Sequence, residues 1–178
     1  ELVSSCNAVS QIELPKQYVD VLVIEDLYHN SNLRRNPRLA LAIMQAYARC
    51  VSTNTNLSTI YKSLKLMHVD SSKNTFLEYI TQFQKMFIME EVPAWSPSLH
   101  SKARVSTSPK HQFCDPSIAA ACISATPELL IKDLSTLGML FESLVVRDLQ
   151  VYSNFLEGKI FHYHDNTGLE VDCILQLD

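Results

Sequence analysis

Glycine is scarce in this chain of 178 residues, with only Gly138, Gly158 and Gly168. No Gly-x-x-x-x-Gly-Lys-Ser/Thr or Gly-x-Gly-x-x-Gly pattern occurs, so no glycine loop can cradle a triphosphate. The Gly-x-Ser-x-Gly elbow of a serine hydrolase is absent as well. No run of 18 apolar residues occurs, which argues against a membrane-spanning helix, and no basic-then-apolar leader opens the chain. Cys-x-x-Cys and close Cys/His clusters are missing, which argues against a zinc site. The five cysteines (6, 50, 114, 122 and 173) are odd in number and widely spread. They suit reduced thiols, and a cytoplasmic protein is expected. His162 and His164 share one strand face and read as surface residues.

The composition is 47% apolar, enough for a packed core. The net charge of −4 conceals an uneven distribution. Residues 1–30 hold one basic residue and five acidic ones, residues 31–110 eleven Lys/Arg against four Asp/Glu, and residues 111–178 three against ten. The middle can face a polyanion; the last third cannot do so without metal ions or basic help. The chain opens on Glu1 and stops at Asp178 within a strand pattern, so a piece of something longer is expected.

Local patterns outline the elements. Tyr18 to Leu27 fits a helix with Val19, Leu22, Val23 and Leu27 on one side, although its β-branched content leaves a strand open. Asn36-Pro37 caps a helix running to about Cys50. A polar break leads to a short helix, Leu57 to Leu64. After a tight turn, Asp70-Ser-Ser caps a longer helix with Phe76, Ile80, Phe83 and Phe87 on one side. This is the order of a helix-turn-helix unit. Ile88 to Trp95 and His111 to Cys114 read as a hairpin behind it, a wing, with the basic loop Ser96 to Lys110 between them. Asp115-Pro116 caps a helix from Ser117 to Ile123, and Thr126-Pro begins another segment. A helix from Ser135 to about Tyr152 turns Leu137, Leu140, Phe141, Leu144, Val145 and Leu149 inward. It feeds a hairpin: Ile160 to Tyr163, a turn at Asp165 to Gly168, then Leu169 to Leu177. Alternation puts Val171, Cys173, Leu175 and Leu177 on one face of the return strand and Glu170, Asp172 and Ile174 on the other.

Two constellations carry chemistry. Ser72, Lys73, Asn74 and Thr75 open the second helix of the unit, where a recognition helix meets base edges and phosphates. Lys62, Lys65, Lys102, Arg104 and Lys110 would supply phosphate contacts. A winged helix that packs on a neighbouring domain or subunit, with solvated cations, explains the same residues. Glu142 on the long helix and Asp172 on the return strand, with Glu170 beside them, are candidate Mg²⁺ ligands for phosphodiester cleavage. That chemistry also needs a lysine, and Lys159 lies far from their face. Ordinary solvated acids are the alternative explanation.

Three stretches resemble the C-terminal half of prokaryotic AAA-type ATPases that carry the domain of unknown function numbered 4143. They are Ser71-Ser-Lys-Asn-Thr-Phe-Leu-Glu-Tyr-Ile80 with Met86-Phe-Ile-Met89; Phe113-Cys-Asp115; and Gly138-Met-Leu-Phe-Glu-Ser-Leu-Val145 with Phe161-x-Tyr163 and Gly168-Leu-Glu-Val-Asp172. The likeness covers roughly residues 15–178. It implies an upstream ATP-binding domain outside this chain, then a winged helix, then a restriction-endonuclease-like unit. In that unit Glu142 and Asp172 hold the catalytic and metal-ligand positions, and the acid-x-lysine strand would lie beyond Asp178. The expected fold is therefore helix-rich α/β: a helical remnant over 1–30, a winged helix-turn-helix over 31–112, and a truncated nuclease-like α/β unit over 113–178. The expected function is a non-catalytic fragment of an AAA-type ATPase. It would bind duplex DNA, or position its own ATPase domain or another protein. A metal-dependent nuclease in the intact protein and a protein-interaction module are the alternatives. No cofactor is expected in this chain apart from Mg²⁺ at the acids, and no membrane partner.

Overall fold

The computed structural model describes residues 8–29, 31–96, 108–165 and 167–177, with backbone alone for 8–11. Helix α1 (Ala8–Ile24) and a 3₁₀ turn (Asp26–Tyr28) resolve the helix-or-strand ambiguity of the first segment in favour of helix. Val19, Leu22, Val23 and Leu27 are buried, at the spacing one helical face requires.

Capping chemistry sets the later helix starts. The Asn36 side chain accepts from the Leu39 amide at 3.1 Å, and Pro37 opens α2 (Pro37–Ala48). Asn56 caps α3 (Leu57–Leu66) and Ser72 caps α4 (Lys73–Lys85) in the same way. Asp115, Thr126 and Asp133 cap α5 (Pro116–Cys122), α6 (Pro127–Lys132) and α7 (Leu134–Asn154). Each cap satisfies an amide that the first helical turn leaves without an internal partner.

Two small antiparallel sheets accompany the helices. β1 (Met89–Val92) pairs with β2 (Lys110–Phe113), with Met89 opposite Phe113 and Val92 opposite Lys110. On its other edge β2 meets the chain after α2: the Ser52 amide donates to the His111 carbonyl at 2.7 Å, and the His111 amide to the Thr53 carbonyl at 2.9 Å. β3 (Lys159–His164) pairs with β4 (Glu170–Gln176). The sheets are joined because the chain after β1 runs parallel to β3. There the Trp95 amide donates to the His162 carbonyl at 2.6 Å and the His162 amide to that of Pro93 at 3.0 Å. The main core runs from Val19 on α1 to Leu140 on α7. A second, smaller cluster joins Val92, Val146 and Ile160.

Four local expectations are corrected. Phe87 lies outside α4, which ends at Lys85; its backbone turns left-handed (φ 55°) and its ring is 75% exposed, while Tyr79 takes a place in the buried face. On α7 the fully buried residues are Leu140, Ser143, Val146 and Ser153, whereas Phe141 is 63% exposed. The inward face is thus rotated toward small side chains, which let the helix lie close to the strands. His162 is fully buried rather than a surface residue. Strict alternation on β4 also fails. The register shifts between Phe161 and Tyr163, and residues 172 and 173 together lie opposite His162. This bulge points neighbouring side chains the same way, so Asp172 reaches inward toward β2 while Cys173 packs on the Val92–Val146–Ile160 cluster.

The β3–β4 turn is organised by Asp165. Its carboxylate accepts from the Thr167 hydroxyl (2.6 Å), the Thr167 amide (2.8 Å) and the Leu169 amide (3.0 Å). The Thr167 hydroxyl, followed by these amides, pulls the Asp165 pKa down to about 2. Gly168 adopts φ +87°, a conformation that side-chain-bearing residues rarely take.

Candidate functional site

All four residues of β2 are buried, although three of them are polar or charged. Each therefore needs a partner. Alternation directs His111 and Phe113 to one side, where the Tyr47 ring lies 4.9 and 5.4 Å from their rings. Lys110 and Gln112 point to the other side, toward α7. Gln112 Nε2 donates to Ser52 Oγ at 3.2 Å, and Ser52 Oγ donates to the Met139 carbonyl at 2.8 Å. Glu142 lies three residues beyond Met139, on the same side of the helix. Two residues back along β2, Lys110 meets it.

The Lys110 ammonium is the centre of the site. Its Nζ lies 2.9 Å from Glu142 Oε1, 2.9 Å from Glu170 Oε1 and 2.9 Å from Asp172 Oδ1. The lysine side chain is 3% exposed; those of Glu142, Glu170 and Asp172 are 19%, 48% and 60% exposed. An ammonium has three protons, and each has one carboxylate acceptor. Burial alone would lower the lysine pKa, but the bonds to Glu142, Glu170 and Asp172 outweigh it and hold the group above its ordinary value. Glu142 is pushed up, first by burial and then by the charges of Asp172 and Glu170, and Lys110 only partly offsets this.

Buried histidines flank the cluster. The His162 Nε2–H donates to the Ser108 carbonyl at 3.1 Å, and Nδ1 has no hydrogen-bond partner among the described residues. The His111 Nε2–H donates to the Thr55 carbonyl at 2.6 Å, and Nδ1 again lacks a hydrogen bond. Burial lowers both pKa values.

Glu142, Asp172 and Glu170 are thus brought together, and the lysine that meets them comes from β2. Lys110 cannot serve as an exposed phosphate contact, because its ammonium is sequestered by three acids. The acids do not fit a resident Mg²⁺ either: Lys110 Nζ fills the point where they converge. Among the described residues no group of three or more His, Cys, Asp or Glu side chains is placed to hold a metal ion.

The other candidate residues lie elsewhere. Lys62, Lys65, Ser72, Lys73 and Asn74 are exposed and Thr75 is half-buried. Ser72 and Thr75 hydroxyls hydrogen-bond each other at 2.9 Å within the α4 cap. Lys102 and Arg104 lie outside the described residues. Arg34, Arg35, Arg38, Arg49 and Lys85 are further exposed cations. None of these eight exposed Lys/Arg side chains forms an ion pair among the described residues. The Tyr61 hydroxyl donates to the Ser71 carbonyl, and the Tyr79 hydroxyl to the Arg34 carbonyl, both at 2.8 Å. These bonds tie both the lysine-bearing end of α3 and the arginine-bearing entry to α2 to α4. A groove of about 600 Å³ runs between residues 31–33 and the outer face of α4, lined in part by Asn32, Asn74, Gln82 and Lys85.

The fold and site define a helix-rich α/β chain with three acids gathered on one buried lysine and, around α4, exposed cations that form no ion pair among the described residues. The chain belongs to the family described as Domain of unknown function (DUF8612), whose model matches residues 1–129. The match includes Lys110 but ends before Glu142. No curated protein and no solved structure matches the chain. Among the described residues no helix is long and apolar enough to cross a membrane.

Proposed function

We propose that this chain is a non-catalytic, DNA-binding portion of an AAA-type ATPase. In this reading α2, α3, α4 and the β1–β2 pair form a winged helix, and α7, β3 and β4 form a restriction-endonuclease-like unit. The order of elements and the motif resemblance support the assignment. The single observation that carries it is the set of exposed, unpaired cations around α4. A duplex approaching this surface would meet Lys62 and Lys65 at the end of α3, Lys73 at the start of α4, and Arg34, Arg35 and Arg38 beside it. Release of counterions from the duplex would drive such binding. Asn74 and Gln82 offer amides of the type that hydrogen-bond base edges. Lys110 gathers three carboxylates of the acidic last third into one cluster and offsets one of their charges. The same lysine supports a bracing role for Glu142 and Asp172 in place of a catalytic one.

Titration of the chain with labelled duplex DNA over a range of salt tests the proposal. Affinity is expected to fall steeply with salt, and Lys73→Ala is expected to weaken binding and reduce the log–log salt slope by about 1. Absence of binding at low salt, or binding unchanged by Lys73→Ala, rejects the DNA interface. A salt-insensitive protein partner found on the same face would instead assign α2–α4 to positioning an ATPase domain.

A further inference from the structure

A second concavity lies away from α4, where the end of α2 meets α6 and the start of α7. It encloses about 470 Å³, within the range of small-ligand sites, about 300–1,000 Å³. Its floor is apolar: Val51 is buried, while Ile123, Leu130 and Met139 are half-buried against the main core. One wall is α6, a six-residue helix with no buried residue, and its Leu129 is 55% exposed beside the cavity. Apolar surface of this kind is unfavourable in water and is relieved by an apolar occupant.

The charges at the mouth give that occupant a sign. Arg49 and Lys132 both line the cavity and are exposed, and neither forms an ion pair among the described residues. The acid there, Asp133, is already engaged: its carboxylate accepts from the Thr136 amide at 3.1 Å and the Thr136 hydroxyl at 2.7 Å as the cap of α7. Those bonds leave the Asp133 carboxylate ionised, so the mouth carries two cations against one acid, a net positive charge above an apolar floor. We infer that this cavity binds an aliphatic carboxylate, its head group at Arg49 and Lys132 and its chain against Val51, Leu129, Leu130 and Met139. The inference is independent of the DNA-binding reading, because it uses none of the α4 surface.

Isothermal titration of the full chain with decanoate, decanol and decylamine below their micellar ranges provides the test. Decanoate is expected to bind saturably at one site, about tenfold or more tighter than either neutral or cationic analogue. The double variant Arg49→Ser/Lys132→Ser should remove the preference for the carboxylate and retain weak decanol binding. Leu129→Asp changes an exposed position, so it should leave the melting temperature unchanged while abolishing decanoate binding. Equal binding of the three probes, no saturable decanoate binding, or decanoate binding that survives Leu129→Asp in a folded protein would each overturn the inference.

Discussion

Replacing Lys110 with methionine separates the charge of the acid–lysine cluster from its packing. Methionine keeps an unbranched side chain of similar reach and removes the ammonium. The starting geometry is three oxygens at 2.9 Å from a nitrogen that is 3% exposed. With an effective dielectric of about 20, opposite unit charges about 4 Å apart attract by about 4 kcal/mol, which sets the scale of one such contact. Repulsion among the three acids opposes the sum, and removing the lysine leaves repulsion alone. Disrupting a buried ion pair by deleting one partner costs about 3–5 kcal/mol. Glu170 and Asp172, 48% and 60% exposed, can swing into water, so the low end applies, about 3 kcal/mol. Urea unfolding at pH 7 measures the loss, and adding Glu142→Gln to Lys110→Met should recover part of it. The pH dependence supplies an internal check. Glu142, whose pKa burial already raises, loses the offset that Lys110 supplies, so stability returns as pH falls and this acid protonates. The deficit should therefore shrink near pH 4.5, around the carboxylate range. A variant as stable as the parent at pH 7, or a deficit that persists unchanged in acid, would refute the reasoning.

Two further perturbations follow from buried groups. His111 and His162 have depressed folded-state pKa values, so the stability they contribute is present above about pH 6.5 and lost as pH falls below it. The free energy of urea unfolding, measured from pH 7.5 to 5.5, should decline below about pH 6.5 by up to about 1.4 kcal/mol per pH unit for each histidine. His162→Gln should reduce the slope, while the raised pKa of Glu142 acts in the opposite direction; a profile unaffected by that substitution would contradict the assignment. At Gly158 an added Cβ would lie 2.8 Å from Leu177 Cδ2, 3.0 Å from Leu175 Cδ1 and 3.2 Å from the Gln176 carbonyl. The leucine tips can move but the carbonyl can yield only slightly, so Gly158→Ala should cost about 1 kcal/mol. Leu177→Ala should relieve part of that cost in a double-mutant cycle, and strict additivity would exclude the contact as its cause.

Elements announced by local chemistry were legible in the sequence. Asn36-Pro37, the Ser72 cap and the Asp115-Pro116 pair mark helix starts through groups that act within three residues. The strand at 89–92 lies within the segment Ile88–Trp95 read as extended, the strand at 110–113 nearly coincides with His111–Cys114, and the final hairpin follows from its alternation and a turn rich in Asp, Asn, Thr and Gly. The meeting of Glu142 with Asp172 was also within reach, because a helix feeding a hairpin carries both. Lys110 was not, since its partners Glu142, Glu170 and Asp172 lie 32 to 62 positions away and a lysine after a basic polar loop has the signature of a solvated one. The usable signal was the strand that follows it: extending that strand by one residue places Lys110 on the Gln112 side. His162 carried a similar signal, two residues from buried Ile160. The bulge on β4 and the rotated face of α7 depend on how the layers settle against each other, which no local period encodes.

The acid–lysine cluster also constrains how the polypeptide can be divided. A cut after residue 112 would leave the ammonium on one piece and its three anions on the other. The first piece would hold a lysine with no counterion, and the second would hold three converging acids with nothing between them. Each half lacks what the other carries, so neither alone can form the cluster. Once apart, the charges are solvated by water and the contact is lost, so the cluster holds only while both segments fold together.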